Sequence, residues 1–254
     1  KAEIELPKYF EESIREDLIA KAFKVESAEE RQPYGAFKLA GRRASAPGKV
    51  HHQRRRWKTA YGYGISRVPR KVLVRRGSRF FWQGAYIPGT VKGRQAHPPK
   101  AETSFEIKIN KKEKLMALKA AIAATASLDA IKNKYKLDGI KLHELPLIVE
   151  SKIEDISKIK ELKKVLLALL KTEKFFPEKS IRAGKGKMRG RKYKRKAGLL
   201  LVVSSKAKIK TKAFDIKKAD ELKVKDLAPG GKAGRVVIYS ENALEELAKR
   251  LKER

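Results

Sequence analysis

Cysteine is absent from this chain of 254 residues, and with it go disulfides, thiolate zinc sites and cysteine nucleophiles. There is no run of about 18 apolar residues, the length a membrane-crossing helix requires, and no charged-then-apolar leader. Acidic residues are scarce: 29 Asp plus Glu face 63 Lys plus Arg, a formal net charge of +34. Such a surplus repels itself in a compact state unless a polyanion neutralises it. Nucleic acid is the commonest polyanion, and an anionic membrane surface is the rival. These absences exclude most soluble enzymes and predict a soluble, intracellular protein. The opening residue, Lys1 in place of Met, predicts that a segment ahead of it has been removed or lies outside the sequence. An apolar content of 41% is enough for a core of one or two domains.

The charge is concentrated. From Arg31 through Ala101 there is no Asp or Glu in 71 consecutive residues, while Lys and Arg number 18. The same window holds both tryptophans (Trp57, Trp82), nine of nineteen aromatics, nine of seventeen glycines and six of ten prolines. No helical or alternating period persists in it, because Arg54-Arg55-Arg56, Tyr61-Gly62-Tyr63-Gly64, Val68-Pro69-Arg70-Lys71 and Phe80-Phe81-Trp82 interrupt one another. It reads as one long irregular excursion, and loops beyond about 12 to 15 residues are functional or disordered. A solvated charge run would be interspersed with acids and poor in aromatics. A second acid-free tract runs from Lys179 to Phe214, with a glycine-basic string from Gly184 to Gly198. Glycines let backbone approach phosphate closely, and each cation can release a counterion on binding.

Outside these tracts the pattern is that of a folded domain. Ser13 to Glu16 fits a capping box, followed by a helix with Ile14, Leu18, Ile19, Ala22 and Phe23 at helical spacing, ending near Val25. A second helix is predicted over 112–128 and a third over 155–170, preceded by a short strand at 145–149. Leu199 to Val203 reads as a buried strand, 236–239 as another, and Ser240 as the cap of a last helix bearing Leu244 and Leu247. Leu115, Ile122, Leu162 and Leu166 are core positions. Alternating strands and helices predict βαβ units and a mostly parallel sheet flanked by helices, an α/β fold. The possible strand 213–216 strains this reading, because only nine residues separate it from Val203, fewer than a parallel crossover usually needs.

No catalytic constellation is evident. His51, His52 and His97 lie in the acid-free excursion without a neighbouring carboxylate, and His143 reads as an ordinary surface histidine. Glu154-Asp155 opens a predicted helix, where the macrodipole accounts for acidic residues. Gly184-Lys185-Gly186-Lys187 lacks the spacing of a phosphate-binding loop, and no G-x-G-x-x-G follows a strand. No metal or cofactor is expected. Trp57 is expected to meet RNA; Phe80-Phe81-Trp82 suits base stacking or a small satellite core. The competing readings are an RNA-processing enzyme and a regulatory nucleic-acid binder.

Three segments carry a resemblance: Gly93-Arg94-Gln95-Ala96-His97-Pro98-Pro99-Lys100, the string from Arg182 to Tyr193, and Asp226-Leu227-Ala228-Pro229-Gly230 followed by Gly234-Arg235. In order and spacing they resemble the L-four family of large-subunit ribosomal proteins, in its archaeal and eukaryotic form. The resemblance implies a non-enzymatic constituent of the large ribosomal subunit, with a Rossmann-like globule formed by 1–31 and 101–254. It implies an extension, 32–100, threading into rRNA toward the peptide exit tunnel, and a second RNA-binding loop, 179–198. The residues expected on rRNA are Arg42, Arg43, Lys49, His51, His52, Arg54, Arg55, Arg56, Trp57, Lys58, Lys92, Arg94, His97, Lys100, Arg182, Lys185, Lys187, Arg189, Arg191, Lys192 and Arg195. The tip would lie between about Tyr61 and Tyr86, with Arg67, Arg70, Lys71, Arg75 and Arg76 as candidates to face the tunnel. Implied partners are rRNA, neighbouring ribosomal proteins and, at the tip, the nascent peptide, with neither membrane nor small-molecule substrate. The chain departs from the family at Phe80-Phe81-Trp82, in an opening strand cut short at Lys1, and in a basic run replacing the helix after 199–203.

Overall fold

The computed structural model describes residues 4–46, 50–135, 145–156, 158–207, 209, 211 and 213–252. Lys49 and His143 therefore lie outside the described residues. The chain divides into two compact units, Lys1–Glu30 with Glu106–Arg254, and Arg31–Phe105. In chain order the elements are α1 (Glu16–Glu29), β1 (Arg70–Arg76), β2 (Arg79–Gly84), α2 (Lys111–Ala126), α3 (Leu128–Tyr135), β3 (Leu147–Val149) and α4 (Ile159–Leu170). They continue with β4 (Lys179–Ile181), β5 (Tyr193–Arg195), β6 (Leu200–Val203), β7 (Asp215–Lys218), α5 (Val224–Leu227), β8 (Val237–Ser240) and α6 (Glu241–Lys252).

The larger unit is built on a four-stranded sheet in the order β3-β8-β6-β7. Every pairing in it is parallel, with Leu201 opposite both Ile216 and Ile238. The two central strands are buried throughout, which explains their unbroken apolar runs: a parallel sheet covered on both faces has no polar side to alternate with. Successive side chains then point to opposite layers. Leu200, Val202, Val237 and Tyr239 pack with Ile19, Ile122, Leu227, Leu244 and Leu247 from α1, α2, α5 and α6. Leu199, Leu201, Val203 and Ile238 pack with Ile131 of α3, Leu162 and Leu166 of α4, and Phe175. Leu115 is the one expected core position that is only partly buried, resting on the first of these layers. The fold is mixed α/β.

Several boundaries differ from the sequence reading, each for a physical reason. The capping box at Ser13 does not form; Arg15 precedes α1 and makes two bonds, 3.0 and 2.7 Å, to Asp17 in its first turn. The helix runs past Val25 because Glu26 is an interior residue, accepting the backbone N–H of Val224 (3.4 Å) and Lys225 (2.8 Å) at the start of α5. The strand after Val203 exists and is parallel, displaced to 215–218. Its short crossover, 204–214, contains no helix among the described residues; Phe214, with Ala207 and Ala213 against the same layer, covers the sheet there instead.

Glu154 corrects the sequence reading most clearly. It lies in a 3-10 turn, Ser151–Asp155, ahead of α4, and is buried. Its carboxylate accepts the N–H (2.9 Å) and hydroxyl (2.6 Å) of Ser204 and the hydroxyl of Ser240, joining the ends of β6 and β8. Burial favours the neutral acid, but these donors together with Asn242 outweigh it and hold the Glu154 carboxyl below the ordinary carboxylate range. A depressed folded pKa gives stability that is complete above the unfolded value and is lost as pH falls through the folded one. Glu154→Gln should therefore lower unfolding free energy by about 1.5–3 kcal/mol at pH 7, the range for bonds to a charged group. The deficit relative to wild type should shrink as pH falls below about 4, read from urea unfolding midpoints.

Candidate nucleic-acid interface

Within the unit Arg31–Phe105 the excursion is more regular than its sequence suggests. Strands β1 and β2 form an antiparallel hairpin, with a bulge between Val72 and Val74. Bulge and basic residues mask the alternation by which a hairpin is recognised. Beneath it sits a small aromatic cluster: Phe80 meets Trp57 edge-on at 5.6 Å and Trp82 edge-on at 5.1 Å. The Trp57 indole N–H donates to the carbonyl of Ser78 (3.1 Å), and Lys58 and Arg75 lie 4.3 and 5.1 Å from its ring. Trp57, expected on RNA, is thus also a packing residue, 46% exposed. Of the Phe80-Phe81-Trp82 run, Phe80 and Trp82 join the satellite core while Phe81, 75% exposed, points away from it.

In this unit most of the expected cations stand outward. Arg42, Arg43, His51, His52, Arg54, Arg55, Arg56, Lys92, His97 and Lys100 are exposed; Lys58 and Arg94 are partly buried. Arg54 to Lys58 form a tight turn closed where the His51 N–H meets the Lys58 carbonyl at 2.9 Å. Arg55 and Lys58 there adopt left-handed backbone, φ 59° and 58°, an unfavourable conformation for side-chain-bearing residues. Of the tip candidates, Arg67, Arg75 and Arg76 are exposed, whereas Arg70 and Lys71 are half-buried. Arg70 is turned inward, bonded to the carbonyl (3.0 Å) and hydroxyl (3.1 Å) of Ser66 and 5.5 Å from the Trp82 ring.

In the larger unit, the second basic loop is the connection of another antiparallel hairpin, β4 with β5. Lys185, Lys187 and Arg189 ride on a 3-10 turn, Lys185–Arg189, ended by Gly190 at φ 76°. All three are exposed, as are Arg191 and Lys192. Arg182 is different: its guanidinium reaches across the loop to the carbonyl of Arg191 (3.2 Å) and sets the loop's width. Gly186 fits beside it because a Cβ there would meet the Arg182 Cδ at 3.0 Å. Arg195 bonds the Ala213 carbonyl at 2.5 Å and lies 3.9 Å from Asp215, tying the hairpin to the sheet. Gly184-Lys185-Gly186-Lys187 therefore sits between antiparallel strands, not between a strand and an α-helix as a nucleotide-binding loop would.

The third motif proves to be structural. Arg235 is buried, 3% exposed, and donates to the carbonyls of Gly198 (2.7 Å), Asp226 (2.7 Å) and Leu199 (3.3 Å) and to the Asp215 carboxylate. Gly234 must be glycine: its φ is 87°, and a Cβ would lie 2.2 Å from the Ala130 carbonyl oxygen. The sequence marked this motif by likeness alone, since nothing in its composition shows that Arg235 would be internal.

Among the described residues no group of three or more His, Asp or Glu could hold a metal, and no helix is long and apolar enough to cross a membrane. What the geometry offers is two sets of outward cations, one spread over the unit Arg31–Phe105 and one on the loop joining β4 to β5, suited to a phosphate backbone.

The ribosomal protein L4/L1 family model matches residues 4–250. The chain belongs to this family. Among its relatives, the large ribosomal subunit protein uL4 of Nanoarchaeum equitans is 43% identical, over 97% of this chain and 93% of that protein. The uL4 proteins of Thermoplasma acidophilum and Methanocaldococcus jannaschii are each 39% identical, over 97% and 98% of this chain and 92% and 94% of theirs. These L4 relatives are named as ribosomal proteins and not for any catalytic activity. The L4 membership agrees with the resemblance carried by the three motifs.

Proposed function

We propose that the chain is a non-catalytic constituent of the large ribosomal subunit in the cytoplasm, held there by rRNA and adjoining ribosomal proteins. The Rossmann-like globule anchors two basic elements, the extension 32–100 and the loop 179–198. Their Arg and Lys side chains neutralise phosphates where RNA helices converge. The extension reaches toward the exit tunnel, and the hairpin β1–β2, with Arg67, Arg75 and Arg76 exposed, forms the part nearest the constriction and the nascent peptide. The observation that carries this reading is the absence of any carboxylate across 31–101, together with the outward position of its cations.

Salt dependence of binding tests it. Full-length protein and a large-subunit rRNA transcript should give log K falling steeply with log salt, with a slope near −0.7 to −0.9 per phosphate neutralised. A shallow slope, of one or two phosphates, would contradict the proposal. RNA processing, the competing reading, predicts transcript cleavage on incubation with magnesium; the proposal expects none.

Order in the extension should be coupled to binding. Fixing backbone costs about 1–2 kcal/mol per residue, and an isolated two-stranded hairpin with a small aromatic cluster is marginal in water. Amide exchange in the free protein should be fast across 42–92, apart from weak protection in β1 and β2, and should slow in the assembled particle. Strong protection of that whole span without RNA would refute the coupling.

A further inference from the structure

Strands β4 and β5 place Ile181 directly opposite Tyr193, and both side chains are more than half exposed, at 61% and 55%. A cross-strand apolar and aromatic pair is ordinarily the buried face of a hairpin. Here nothing in the described chain covers it, although Arg195, two residues along, is bonded back to Ala213 and the sheet. The hairpin is thus fixed at one end and presents this pair at the other. Around it the charge is uniformly positive: Lys192 lies 5.5 Å from the Tyr193 ring, and the exposed Arg191 and Lys194 flank it in sequence. The loop is held open by Arg182, whose guanidinium bonds the Arg191 carbonyl at 3.2 Å and reaches the Tyr193 carbonyl at 3.5 Å.

We propose that Tyr193, backed by Ile181, is a stacking platform for one unpaired RNA base, with Lys192 beside it for the phosphate of the same nucleotide. This deepens the proposed function: it assigns to the second loop a contact with a base face in addition to phosphates. The surrounding cations favour a polyanion over an apolar protein segment. The flat Tyr193 ring favours a base whose π-face is free, which paired RNA does not offer along its helix.

The test uses full-length protein and a large-subunit rRNA transcript, with affinity measured over a range of salt. Tyr193→Ala should weaken binding about 5- to 150-fold, the range for losing one base–aromatic stack, and leave the salt slope unchanged because no phosphate contact is removed. Tyr193→Phe should bind as wild type does. Lys185→Ala, by comparison, should reduce the slope by about one. Unchanged affinity in Tyr193→Ala, a changed slope, or equal losses in the Ala and Phe variants would each overturn the platform while leaving the RNA-binding role standing. Failure of the wild type to bind the transcript would overturn both.

Discussion

Arg235→Met should lower the unfolding free energy of the protein by about 3–5 kcal/mol, the range for losing one partner of a buried, charge-assisted network. The guanidinium is the common donor for three carbonyls, those of Gly198, Leu199 and Asp226, and for the carboxylate of Asp215. Those acceptors come from the two residues just ahead of β6, from α5 and from the start of β7, so one side chain closes the sheet's entrance against the helix layer. Methionine has comparable length but no donor, leaving buried carbonyls unpaired. Arg235→Lys should recover only part of the loss, since a compact ammonium cannot span acceptors placed on several sides. Urea unfolding reads both, with the midpoint shifting and the slope unchanged. A loss under 1 kcal/mol for the methionine variant would show that the network contributes little.

Removing Lys185, Lys187 and Arg189 together should weaken rRNA binding on the order of 10²-fold or more at 0.1 M salt, and reduce the salt slope by about two to three. All three side chains are exposed on one short turn, so the variant should unfold at the same urea concentration as wild type. Equal stability with lost affinity separates an RNA contact from a structural role. Retained affinity would mean that the second loop is a solvated charge run.

The α/β scaffold was legible because its signals are local and repetitive: buried strands as unbroken apolar runs at 199–203 and 236–239, helices as stripes bearing Leu162 and Leu166 or Leu244 and Leu247. The two basic tracts were legible because missing carboxylates need no structural context to be seen. Hidden were features that depend on residues distant in sequence. Glu154 looked like a helix-opening acid, but its donors are Ser204 and Ser240, 50 and 86 residues away. Arg235 looked like another cation in a basic chain until its acceptors, up to 37 residues off, enclosed it. The hairpin inside the excursion was hidden by its bulge and by arginines at positions where alternation would call for apolar residues. Trp57 and Phe80 are 23 positions apart in sequence, so their cluster could not be read from spacing. In the sequence Tyr193 is only one member of a motif; its exposure is a property of the fold.

A near-atomic map of the purified large subunit tests the central claim most directly. It should show this polypeptide with 32–100 and 179–198 embedded in rRNA, their Arg and Lys side chains within about 3 Å of phosphate oxygens. A map in which the polypeptide is absent, or in which both segments face solvent, would contradict it.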